Sequence, residues 1–235
     1  MRFTVLTLFP HLFDNFLTES IIKRAINKKL IKVEIVNFRD WSKNKLKQVD
    51  DYQIGGGGGM VIALPAIVDC IRQYKTKNSK VVLLSAIGKT YNQQLASKLA
   101  NDKKYKHLIL VCGHYEGFDE RILHYVDEII SIGDYILTGG EIPAMIIIDS
   151  CARLVKNVIN STSLASESFN NNLLDYPVYT KPIKFEKYKV PDILLSGNHK
   201  KIDEYRKTQQ ILKTQKYRKD LYKKYLKENS KQKEI

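Results

Sequence analysis

Short, nearly continuous apolar runs alternate with amphipathic stretches through the first two-thirds of the chain. Residues 3–8 and 31–36 are rich in β-branched and aromatic side chains, while 80–85 and 107–112 are apolar almost throughout. The first two read as strands, and the last two have the pattern of strands buried on both faces. Between them, residues 19–29, 64–74 and 92–102 carry apolar side chains at helical spacing, as does 141–155. Alternating strands and helices of these lengths predict an α/β fold with a parallel sheet covered by helices. The pattern then changes. Residues 160–172 are polar and rich in turn formers, as expected of a linker, and Pro177, Pro182 and Pro191 interrupt the segment that follows. From Lys200 onward the chain is helical in pattern and very basic, with Ile202, Tyr205, Leu212, Leu221, Tyr222, Tyr225 and Leu226 expected to line apolar faces. The expected organisation is an α/β domain over 1–159, a linker over 160–172 and a small helical domain over 173–235. The last residues, 227–235, are expected to fray.

Composition narrows the partners. Lys and Arg number 39 against 25 Asp and Glu, a formal charge of +14. Such an excess suits a polyanion, nucleic acid foremost, although Lys-rich tracts such as residues 43–47 also serve as plain solvated surface. Cys70, Cys112 and Cys151 are isolated and share no metal-ligand or disulfide spacing, which fits a reducing cytoplasm. The apolar N-terminus lacks a cleavage site and reads as a first strand, and the run 142–148 is too short to span a bilayer. The expectation is a cytoplasmic, soluble protein without membrane contact.

Candidate chemistry concentrates in two turns. An apolar run ends in Gly113-His-Tyr-Glu-Gly-Phe-Asp-Glu-Arg121, and another ends in Ser131-Ile-Gly-Asp-Tyr-Ile-Leu-Thr-Gly-Gly-Glu141. In an α/β sheet such turns bring backbone amides and carboxylates to the carboxyl ends of neighbouring strands, where small ligands bind. Either turn alone is equally an ordinary strand-to-helix connection; the pair favours a site. The run Gly55 to Gly59 lets backbone approach a ligand closely. It is not a phosphate-binding P-loop, because Met60-Val-Ile follows instead of Gly-Lys-Ser/Thr. A dinucleotide fold would need Gly-x-Gly-x-x-Gly after the first strand, where Leu6-Thr-Leu-Phe-Pro10 stands. His11, His107, His124 and His199 are scattered, and His114 is assigned no proton-transfer role.

These segments resemble the cofactor loops of the bacterial tRNA (guanine-N1)-methyltransferase family of TrmD type, knotted SPOUT enzymes. The resemblance extends in order through Phe9-Pro10, Ser20-Ile-Ile-Lys-Arg24, Asn37-Phe-Arg-Asp40, Asp50-Asp51, residues 55–60, residues 173–182 and residues 194–199. It implies a knotted SPOUT-type parallel sheet, a homodimer, S-adenosylmethionine as cofactor, magnesium as an accompanying ion and tRNA as partner. By the same resemblance Leu84, Ser85, Ala86 and Gly88 form a first cofactor loop, and Gly113, Tyr115, Glu116 and Gly117 a second. Ser131, Ile132, Gly133, Tyr135, Leu137, Gly139, Gly140 and Pro143 complete the set. Asp50, Gly55, Gly56, Gly57 and Ser168 are implied to hold the target guanine.

Arg153 and Glu167 are the implied catalytic pair. Methylating guanine N1 requires a base for the ring N–H and a cation or donor near O6. The family carries an Arg after the third loop and an Asp before Ser-Phe; this chain has Arg153 and Glu167-Ser168-Phe169. It also has Gln53-Ile54 where the family usually shows Pro-Tyr, and Ala86-Ile87 where it shows Pro-Gln. The expected activity is methylation of N1 of the guanosine just 3′ of the anticodon. A SPOUT methyltransferase with another RNA target, a catalytically inactive RNA-binding module and a nucleotide-dependent metabolic enzyme are the alternatives.

Overall fold

The computed structural model describes residues 1–160, 164 and 167–231, with the side chains of Asn170 and Lys231 excepted. The expected linker therefore lies partly, and the residues after 231 wholly, outside the described residues. The chain divides into two compact units, residues 1–159 and 160–235.

The first unit is built on a five-stranded sheet in the order β2-β1-β6-β5-β7, with every pairing parallel. Its strands are β1 (Arg2–Thr7), β2 (Lys32–Asn37), β5 (Ser79–Thr90), β6 (His107–Cys112) and β7 (Glu128–Ser131), while β3 (Asp50–Tyr52) and β4 (Met60–Ile62) form a separate antiparallel hairpin. The helices are α1 (Asp14–Thr18), α2 (Ser20–Asn27), α3 (Leu64–Tyr74), α4 (Gln93–Ala100) and α5 (Glu141–Ala152). Two apolar layers sandwich the sheet. On one face Phe3, Val5, Leu108 and Leu110 pack with Leu95 and Leu99 of α4 and with Ile147 and Ile148 of α5. On the other, Leu6, Ile109, Val111 and Leu83 pack with Ile67 and Ile71 of α3. Successive side chains of a strand point to opposite faces, so a strand covered on both sides must be apolar at every position. All six residues of β6, the central strand, are buried.

Two features depart from the sequence expectation. The strand expected over 80–85 continues to Thr90, and its pairing with β7 slips: Leu84 and Lys89 both register with Ile130, so residues 85–88 bulge out of the ladder. The β3–β4 hairpin was not anticipated, whereas the strand-like run expected to end at Ser131 is β7, only four residues long.

In the second unit, β8 (Lys184–Phe185) pairs with β9 (Tyr188–Lys189), and α6 (His199–Tyr217) is followed by α7 (Lys219–Lys231). Asn198 caps α6 by accepting the Lys201 N–H. Ile202 and Leu221 are buried as the apolar pattern requires, whereas Leu212 and Leu226 are exposed and Thr214 takes a buried place. The Thr214 hydroxyl accepts the N–H of Leu174 at 2.8 Å and donates to Gln210 O, satisfying itself inside the unit.

Candidate functional site

Three chain segments meet at the carboxyl end of the sheet: the bulge of β5, the turn after β6 and the long turn after β7. Together they line an open cleft, at the place in an open α/β sheet where small molecules bind. Leu84, Ser85 and Ala86 contribute from the first segment, residues 113–117 from the second, and residues 130–133, 135–140 and Pro143 from the third. Every residue expected in the cofactor loops lines this cleft except Gly88. A Cβ on Gly88 would lie 2.5 Å from the Ile130 nitrogen. The absence of a side chain at position 88 lets the strand rejoin β7 after the bulge.

The second and third segments are joined backbone to backbone. The Gly140 N–H donates to Gly113 O at 2.9 Å, and a Cβ on Gly140 would lie 2.6 Å from Cys112 Cα. On its other side the second segment is tied to β4. Glu116 N–H donates to Met60 O at 3.0 Å, Ile62 N–H to Gly117 O at 2.8 Å and Asp119 N–H to Ile62 O at 2.9 Å. Hydrogen bonds from Arg121 pull the Asp119 carboxyl down to about 2, so this end of the turn stays ionised and fixed. The cleft thus offers backbone groups, the exposed carboxylate of Glu116 and the rings of Tyr115 and Tyr135. Those groups suit a ligand with a flat base, vicinal hydroxyls and a positive centre.

Beneath the cleft lies a polar cluster that sequence reasoning did not single out. Glu141, the first residue of α5, is 2% exposed. One carboxylate oxygen accepts the Thr7 hydroxyl at 2.5 Å, and the other pairs with His114 Nε2 at 2.8 Å. The Phe9 N–H donates to Thr7 Oγ1, and the Phe9 ring lies 4.4 Å from the His114 ring, centroid to centroid. Burial, and then the Glu141 charge, push the Cys112 thiol well up, so this cysteine stays protonated and unreactive. At the rim, Arg39 Nη2 donates to the Tyr115 hydroxyl at 3.4 Å, adding a cation that the sequence motif alone did not assign.

The remaining candidates lie on other segments of the chain. Asp50 is half-buried at the start of β3, paired with Ile62, and Gly55, Gly56 and Gly57 are exposed in the turn that joins β3 to β4. The end of that turn approaches the cleft, since a Cβ on Gly59 would lie 2.6 Å from Glu116 Oε1. Arg153 is half-buried and closes α5, its N–H donating to Asp149 O. Glu167 and Ser168 belong to the second unit; both are half-buried, and Ser168 Oγ accepts the Asp175 N–H at 3.0 Å.

Comparison with known proteins sharpens the picture. The family described as tRNA (Guanine-1)-methyltransferase TrmD matches residues 1–224. A Malacoplasma penetrans protein named tRNA (guanine-N(1)-)-methyltransferase is 62% identical over 229 residues, covering 97% of this chain and 100% of its own length. Proteins of the same name from Ureaplasma urealyticum and Mycoplasma genitalium are each 53% identical over 226 residues. They cover 96% of this chain and, respectively, 98% and 96% of their own.

Proposed function

This chain belongs to the tRNA (guanine-1)-methyltransferase family, and from that membership we propose that it methylates N1 of a guanosine in tRNA. The methyl donor is S-adenosylmethionine, and the target is the guanosine immediately 3′ of the anticodon (position 37). The observation that carries this reading is the cleft formed by the turns after β5, β6 and β7 in a chain 62% identical to a protein of that name.

The residues present fit such a donor. The cleft, lined by Gly113, Gly140 and the rings of Tyr115 and Tyr135, accepts the flat face of a base, and Glu116 accepts hydrogen bonds from ribose hydroxyls. When bound, S-adenosylmethionine supplies an electrophilic methyl group on sulfur. The chain's own task is then proton and charge management. Glu167 takes the proton from guanine N1 as that nitrogen forms its bond to carbon, and the Arg153 guanidinium stabilises negative charge developing on O6. Asp50, the turn of Gly55, Gly56 and Gly57, and Ser168 hold the guanine. Its N1 edge is the Watson–Crick edge, so the base must be unpaired or flipped, as a loop nucleotide is. Magnesium accompanies the transfer; no group of three or more His, Cys, Asp or Glu gathers to hold a metal among the described residues.

The second unit supplies cations and rings for RNA. Tyr222 and Tyr225 stack at 6.4 Å, and Lys207, Arg206 and Lys216 lie over Tyr225, Tyr176 and Tyr217. Such surfaces contact phosphates and stack on unpaired bases. The trefoil knot belongs to the same reading and rests on the family membership. No helix among the described residues is long and apolar enough to cross a membrane, and with tRNA as substrate we place the protein in the cytoplasm.

Homodimer assembly is supported by α5. Its buried side carries Ala144, Ile147, Ile148 and Cys151, yet Ile142 and Ile146, one turn apart, are 53% and 38% exposed. A helix apolar on both sides of its axis implies a second partner. Ile142→Asp with Ile146→Asp is expected to convert a dimer to monomer in light scattering at micromolar concentration. A variant that keeps the wild-type mass removes α5 from the interface.

The function is tested by transfer of labelled methyl to two tRNA transcripts carrying guanosine or adenosine 3′ of the anticodon. The expected product is 1-methylguanosine in the guanosine transcript alone. Label at another nucleotide changes the target, and no label with binding of RNA retained turns the protein into a binding module.

A further inference from the structure

Glu141 plays no part in the chemistry just described, yet it is the charged side chain on which the cleft wall is built. Ionised carboxylates are costly to bury unless their oxygens are satisfied. Here both are: the Thr7 hydroxyl from the end of β1 binds one, and the imidazole of His114, which lines the cleft, binds the other. The position at the first turn of α5 adds favourable alignment with the helix dipole. The third segment is shaped around the pair, because a Cβ on Gly139 would run into the His114 ring and lie 2.6 Å from Glu141 Oε2. One carboxylate therefore fastens three elements, β1, the turn after β6 and the turn before α5.

We infer that Glu141 is a positioning residue for cofactor binding, acting through His114, whose imidazole it holds against the wall of the cleft. This inference rests on the proposed function, in that it takes the cleft ligand to be S-adenosylmethionine. Phe9 presses on the same imidazole at 4.4 Å, so the ring is held by packing on one side and by the carboxylate on the other. Loss of the carboxylate's charge releases the ring from one of its two constraints without removing any group from the cleft. The effect is thus on ground-state binding of the cofactor, with the transfer step spared once the cleft is filled.

The experiment compares wild type, Glu141→Gln, His114→Ala and the double variant. It uses titration calorimetry with S-adenosylmethionine, and steady-state transfer to tRNA at varied cofactor. In Glu141→Gln the Kd and the KM for S-adenosylmethionine are expected to rise about tenfold, the effect of one weakened charge-assisted hydrogen bond, while kcat at saturating cofactor and KM for tRNA stay within about threefold. The double variant is expected to bind no more weakly than His114→Ala, since the carboxylate works through that ring. Wild-type affinity in Glu141→Gln, a fall in kcat in place of KM, or losses that add in the double variant would each overturn the inference. If Glu141→Gln fails to fold, His114→Ala decides alone: unchanged cofactor affinity there overturns it. A wild-type chain that binds no S-adenosylmethionine overturns the proposed function, and this inference with it.

Discussion

Glu167→Gln is expected to lower kcat for methyl transfer by about 10²–10⁴-fold, the usual contribution of a positioned general base, while the Kd for S-adenosylmethionine stays within about twofold of wild type. The amide matches the carboxylate in shape and can still accept a hydrogen bond, but it cannot take the N1 proton of guanine. Guanine N1 is weakly acidic, so without a base the nitrogen lone pair is unavailable to the electrophilic carbon. Glu167 is half-buried, with its backbone N–H directed to Leu164 O. Glu167→Asp serves as the companion variant: it restores the carboxylate on a shorter arm and is expected to regain most of the activity lost by the amide. Single-turnover transfer with saturating tRNA separates chemistry from binding. Activity equal to wild type in Glu167→Gln removes this residue as the base and directs attention to Asp50.

The parts of the fold that could be read from the sequence include those whose periodicity is fixed by burial on both faces. The strands beginning near residues 2, 79 and 107 belong to this class, while the edge strand near residue 32 was legible from its β-branched side chains and the helix Leu64–Tyr74 from one apolar face. For β7 only the end of the apolar run at Ser131 could be read, because four residues beginning with Glu128 give too short a period to fix the strand's start. The bulge at residues 85–88 could not be read either. It is defined by the slip between β5 and β7, a property of two strands about 45 residues apart and of no single window. The cleft residues were legible through family resemblance, and their glycines carry a physical reason in the structure. Glu141 was not: in the sequence it is an acidic residue in a first helical turn, a common surface choice. Only the fold brings it to Thr7, 134 positions away, and buries it. In the helical unit, Leu212 and Leu226 are exposed although their spacing suggested an apolar face, and a hydrogen-bonded Thr214 occupies the interior instead.

Gly140→Ala is expected to lower the melting temperature and to weaken S-adenosylmethionine binding by at least about tenfold, equivalent to about 1.4 kcal/mol. The cause is steric. Gly140 has φ −83° and ψ −4°, a conformation that alanine adopts freely, so no backbone strain is involved. The added methyl carbon, however, would lie 2.6 Å from Cys112 Cα and 2.9 Å from the Gly113 nitrogen. Those are backbone atoms of the buried last residue of the central strand and of the residue that follows it, unable to swing aside as a side chain would. Overpacking of this kind costs about 1–3 kcal/mol, and for a chain of this length each kcal/mol moves the melting temperature by about 2–4 °C. The turn before α5 is free to relieve the clash by moving away, but doing so breaks the Gly140 N–H bond to Gly113 O and widens the cleft between its second and third segments. Gly58→Ala is the matched control. Its Cβ would have no atom within 4 Å, and its φ lies outside the left-handed region, so melting temperature and cofactor affinity are expected to be unchanged. Thermal denaturation and calorimetry on the two variants discriminate: wild-type behaviour of Gly140→Ala would mean that the two turns are not in backbone contact in solution.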